Sequence, residues 1–184
     1  MIEPKYRTFW RRFWAGLLDG LLFVPVIWID AIFLESGSRV IATIWFVTRE
    51  CAFLVYSITL HGRFGRTLGK AALRIRVIDQ SENRRITFRQ AFLRDSPWVA
   101  FTALNLALRV PVVLRGGDPY AANEILLNSA GSLWLLGELT SMLFSSRRRA
   151  VHDLLAGSVV ILESSIDTSA PPNLAMQRTG FAGR

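Results

Sequence analysis

Hydrophobic positions in this chain gather into four long runs, Phe13 to Leu34, Val40 to Leu60, Pro97 to Leu114 and Ala122 to Phe144. A helix needs roughly 20 apolar residues to cross a bilayer core. The runs therefore predict an all-α transmembrane helical bundle of about four spans, with three spans and a re-entrant fourth segment as the alternative. The third run is the shortest and the fourth the most polar. Between the second and third runs the period changes. In residues 71–79, AALRIRVID, Leu73, Ile75 and Val77 alternate with Arg74, Arg76 and Ile78, the pattern of a half-buried strand. Gln80 to Asn83 reads as a polar turn, and Arg84 to Phe88 offers a returning strand. From Thr87 onward Phe88, Ala91 and Phe92 recur among arginines, which predicts an amphipathic helix lying on the membrane surface. Residues 154–162, LLAGSVVIL, are expected to join the same cap as a further strand. The organisation is then an N-terminal segment 1–12, a membrane domain 13–162 whose cap comprises 61–96 and 147–162, and a tail 163–184 expected to be disordered.

Composition supports the membrane reading, since 51% hydrophobic residues and a mean hydropathy of +0.31 coexist with 22 Lys and Arg. The charges are placed as a topology signal. Lys5, Arg7, Arg11 and Arg12 precede the first run, nine basic residues lie between Arg63 and Arg94, and Arg147, Arg148 and Arg149 follow the fourth. The two other connections hold only Arg39 and Arg115. With four spans every basic-rich segment falls on one side, so both termini and the cap are expected in the cytoplasm. The formal charge of +8 is then orientation signal and attraction to anionic headgroups of the lipid bilayer, and a nucleic-acid partner is not expected. The first run is too long for a secretory signal and contains Asp19 and Asp30, so it reads as an uncleaved span. Cys51 is the single cysteine, which excludes an intrachain disulfide.

Ionisable groups inside the runs are the candidate chemistry, because a charge at that depth costs several kcal/mol unless the protein answers it. Arg12 and Asp19 are seven residues apart and share a helix face. Counting 1.5 Å per residue places Asp19 roughly 9 Å inside the cytoplasmic boundary and Glu138 at a similar depth. Two carboxylates at one level would bind a small cation or share a proton. The competing expectation is that Asp19 pairs with Arg12 or a cap arginine and only fixes the helix. Arg49 and Glu50 are adjacent in the middle of the second run and point to different faces. Depth counting pairs Glu50 with Arg109, leaving Arg49 to meet Asp30 or Asp19 or to line a polar cavity.

Other motifs argue against further chemistry. The Gly65 to Lys70 run fails as a phosphate-binding loop, since Phe64 stands where the first glycine belongs and Ala71 where Ser or Thr belongs. Gly65 and Gly69 are expected to allow tight turns, with Arg66 and Lys70 meeting lipid phosphates. His61, His152 and Asp153 lack metal-ligand spacing, and Asp153 is expected in an ion pair with cap arginines. No nucleophile with a nearby base and no cofactor signature is present, so neither an enzyme nor a cofactor is expected.

Four ordered blocks carry a resemblance: FWRRFWAGLLDG from Phe9, GRTLGKAALRIRVID from Gly65, TFRQAFLRD from Thr87 and RRRAVHDLLAGSVVI from Arg147. Together they resemble the RDD family of bacterial membrane proteins, with Arg12, Asp19 and Asp153 at the signature positions. The resemblance implies a multi-pass protein of a bacterial inner membrane. Some members are sodium/proton antiporters, so it also implies a small-cation or proton transporter, or a component of one, assembled as a homo-oligomer if four spans are to enclose a pathway. The alternative is a non-transporting scaffold or accessory subunit whose charges hold helices together.

Overall fold

The computed structural model describes residues 3–34, 37–120 and 124–166. The first apolar run forms two helices, α1 (Phe9–Leu21) and α2 (Val24–Leu34), in place of one. Pro25 explains the break: it has no N–H to offer the Leu21 carbonyl, and the chain passes through tight turns in which Phe23 N–H bonds Gly20 O and Val26 N–H bonds Phe23 O. α3 (Arg39–Phe64) begins at Ser38, whose Oγ accepts from Ile41 N–H, and ends at Gly65. There φ is +69°, which glycine adopts without cost, and its N–H closes the last turn on His61 O at 2.8 Å.

After the five-residue α4 (Leu68–Ala72) comes β1 (Ile75–Asp79), then α5 (Phe88–Leu114). The expected surface helix and the third apolar run are one continuous helix. Thr87 and Gln90 form a reciprocal capping box at its start. Pro97 lies within it, and the carbonyl that proline leaves free, Leu93 O, accepts from Ser96 Oγ at 2.7 Å. α6 (Glu124–Phe144), the short α7 (Val151–Leu155) and β2 (Ser158–Leu162) complete the order.

β1 and β2 pair antiparallel in the register Ile75↔Leu162 to Asp79↔Ser158. The strand expected at Arg84 to Phe88 is reduced to one bridge, Ile78↔Arg85. The β-branched run of β2 takes its place, burying Val159, Val160 and Ile161 beside Ile75, Val77 and Ile78. One face of this ribbon packs on Ala15 of α1 and Ala91 of α5, the other on Tyr6 of a 3₁₀ turn, Pro4–Tyr6. The described chain continues past β2 into a second 3₁₀ turn, Glu163–Ser165. Glu163 accepts from buried Arg76 at 2.7 and 2.9 Å and pairs with Arg66, so it belongs to the cap and not to the tail expected to begin there. The remaining tail, residues 167–184, lies outside the described residues.

Among the described residues three segments are long and apolar enough to span a membrane: Pro4–Leu34, Arg39–Phe64 and Phe88–Leu114. α6 is long enough at 21 residues but is not among them. Ser129, Ser132, Glu138, Thr140 and Ser141 dilute its apolar character. Trp28, Ile32, Ile44, Val55 and Leu133 are more than 60% exposed, an apolar surface fit for lipid and not for water.

Candidate functional site

α1 turns Arg12, Ala15 and Asp19 inward, as the spacing of three and four requires, and all three are buried. α4 packs against this face and shapes the Asp19 site. Asp19 Oδ1 accepts from Tyr56 Oη at 2.7 Å and from Gly69 N–H at 2.7 Å, and Oδ2 accepts from Thr67 Oγ1 at 2.5 Å. A side chain on Gly69 would collide with Ala15 O and the Asp19 carboxylate, so glycine is what lets the amide reach the acid. Every described partner of Asp19 is neutral, and no Lys, Arg or His lies within ion-pair distance among the described residues. The expected pairing with Arg12 or a cap arginine is corrected accordingly. Beyond Thr67 stands Lys70, its Nζ 3.5 Å from Thr67 Oγ1.

Arg12 instead reaches Asp153. Arg12 Nη2 lies 2.6 Å from Asp153 Oδ2, Arg94 Nη1 lies 2.7 Å from Oδ1, and Ala150 N–H donates to Oδ2 at 3.0 Å. Burial alone would raise this carboxyl's pKa, but the two guanidinium groups hold it well below the usual carboxylate range. His152 extends the cluster: Arg94 Nη2 is 2.8 Å from Nε2, and Nδ1 is 2.6 Å from Glu138 Oε2. Burial first, then the charge of Arg94, push the imidazole below its ordinary value. A neutral ring accepting from Arg94 at Nε2 and donating Nδ1–H to Glu138 satisfies both contacts. His152 N–H also donates to Glu138 Oε1 at 3.1 Å. Asp19 and Glu138 therefore answer to separate partners, with no hydrogen bond linking them through a shared side chain.

At the other end of the helices Asp30 accepts from Arg49 Nη1 at 2.6 Å, Trp45 Nε1 at 2.8 Å and Tyr120 Oη at 3.2 Å. Glu50 pairs with its neighbour Arg49, not with Arg109 as depth counting suggested. Both arginines lie near the ring of Tyr120, Arg49 at 5.3 Å and Arg109 at 5.6 Å from its centroid. Helix-face counting also failed because long side chains bend along the helix, so adjacent residues meet. Arg66 is held by Glu163, which corrects the expectation that it meets lipid phosphates, and Lys70 turns toward Thr67.

Tyr56, Thr67 and Arg94 belong to these sites and were not singled out in the sequence, and Lys70 was singled out only for lipid phosphates. The GRTLGK and TFRQAFLRD blocks hold three of them, so the signal lay in motif membership and not in chemistry. A further buried group, Ser57 with Asp95 at 2.8 Å and His61 Nδ1 at 3.2 Å, was equally hidden. Among the described residues no cluster of three His, Cys, Asp or Glu could hold a metal ion. Cys51 is a half-buried free thiol.

Apolar helices around buried, internally answered charges define a helical membrane protein. The model of the RDD family matches residues 6–157, most of the chain, and the protein belongs to that family. No curated protein and no solved structure matches it.

Proposed function

We propose that this RDD-family protein exchanges a small cation for a proton, with Asp19 as the exchanging group. The observation that carries the reading is a buried carboxylate in a membrane helix whose direct partners are hydroxyls and an amide, with the nearest cation, Lys70, held off behind Thr67. A carboxylate so placed is stabilised by a counterion that comes and goes, either a proton or a small cation. The topology supports a pathway that crosses the bilayer four times. β1 follows α3 and β2 follows α6, and because the two strands are hydrogen-bonded they share one side of the membrane. α5 and α6 must then leave that side and return, which favours α6 as a fourth crossing. Tyr6 packs on β2, which supports the N-terminus on the same side, and the basic residues there favour reading that side as the cytoplasmic face of a bacterial inner membrane. Four spans enclose little, and a homo-oligomer fits this reading. Nothing in the chemistry calls for an enzyme.

A second reading rests on a different observation. Arg12, Asp153, Arg94, His152 and Glu138 form a closed network tying α1, α5, α6 and α7 together, as a non-transporting scaffold requires. Dye-monitored proton movement in sealed proteoliposomes on adding sodium, potassium or lithium separates the two. The exchanger gives flux that vanishes in a folded Asp19→Asn variant; a scaffold gives none under any gradient.

A further inference from the structure

Between α1 and α6 lies a cavity of about 410 Å³. Phe13 and Leu17 form its α1 wall, Leu135 and Leu139 its α6 wall, and Arg12, Lys70 and Arg94 its charged end. Phe13, Leu17 and Leu135 are about half exposed, so the apolar walls run out onto the lipid-facing surface. The charges at the closed end are unequally occupied. Arg12 and Arg94 are turned toward Asp153, and the carboxylate of Glu138 is engaged by His152. Lys70 has only the 3.5 Å contact with Thr67, with no carboxylate within ion-pair distance among the described residues. Burial, then the charge of Arg94, push its ammonium down to about 8, although Asp19 and Asp95 act at longer range in the opposite direction. An ammonium with donors to spare, flanked by two guanidinium groups at the end of an apolar groove, complements a phosphate carrying a hydrocarbon chain.

We propose that this cavity holds an anionic phospholipid, its phosphate at Lys70 beside Arg12 and Arg94 and an acyl chain lying between α1 and α6. The site joins α1 to α6 with a component drawn from the bilayer itself. It does not depend on Asp19 exchanging ions. Free phosphate carries the same headgroup chemistry but leaves the apolar walls empty.

The test uses the full chain, stripped of lipid in detergent and offered phosphatidylglycerol, phosphatidylcholine or inorganic phosphate, with retention read by native mass spectrometry. The proposal expects phosphatidylglycerol to be retained about tenfold over phosphatidylcholine, the scale set by one or two basic contacts. Lys70→Met is expected to erase most of that preference. Gly16→Leu is the second variant, since Gly16 lines the cavity and a Cβ there meets nothing within 4 Å. It fills the groove without touching the charges, and it is expected to lower retention of both lipids. Equal retention of the two lipids by the wild type would overturn the proposal. So would inorganic phosphate displacing phosphatidylglycerol at equal concentration, which would assign the site to a free anion, or unchanged retention in folded Gly16→Leu protein.

Discussion

Asp19 and Asp153 are both buried, yet their surroundings are opposite. Asp153 is clamped between Arg12 and Arg94, and the charge is spent where it stands. Asp19, on the same helix face as Arg12, is met by a phenol, a threonine hydroxyl and a backbone amide. A carboxylate held by two guanidinium groups has no reason to take up another ion, whereas one held by neutral donors keeps its charge available. On the proposed reading, two aspartates that look alike in the sequence divide into a fastener and an exchange group. The difference is made by elements that neither belongs to: α4 shields Asp19, and α5 delivers Arg94 to Asp153.

The comparison breaks most readily at Asp153. Asp153→Asn leaves two buried arginines without their anion and is expected to cost about 3–5 kcal/mol, read as a fall in the unfolding midpoint in detergent. Adding Arg94→Met is expected to recover part of that loss; no recovery would show that the two charges are not coupled. Gly69→Ala forces α4 away from Ala15 O and Asp19, an overpacking cost of about 1–3 kcal/mol. Asp19→Asn is expected to cost only about 1 kcal/mol, because the amide oxygen still accepts from Tyr56 and Gly69 while its NH₂ donates to the Thr67 hydroxyl. A loss as large as that of Asp153→Asn would erase the distinction between the two sites. A pH dependence is also expected at Lys70. Its ammonium titrates at about 8 when folded against 10.5 ordinarily, so the folded state releases its proton first and stability rises with pH between those values. Lys70→Met is expected to lack that rise in chemical unfolding measured at pH 8 and pH 10.

Much of this arrangement was legible where local rules decide it. The alternation of Leu73, Ile75 and Val77 marks β1, residues 154–162 contain β2, and Asp153 meets arginines. What could not be read was choice of partner across distance. The Arg84 to Phe88 segment and β2 both had strand character, and only packing on α1 and Tyr6 selects the more β-branched one. Depth counting matched Glu50 with Arg109, yet Glu50 pairs with Arg49, and Arg109 lies near the ring of Tyr120, from a loop beyond the third apolar run. Arg66 carries a charge suited to headgroups, but Glu163 captures it. Depth and period give the level of a side chain in the bundle; they do not give its direction.

The central claim is that Asp19, and not Asp153 or Glu138, exchanges a proton for a cation. Cation binding at a protonated carboxylate releases the proton, so adding sodium to the purified protein in weakly buffered detergent should acidify the solution. The account predicts release from the wild type and from Glu138→Gln, and none from folded Asp19→Asn. Undiminished release from Asp19→Asn would place the exchanging group elsewhere and contradict the account.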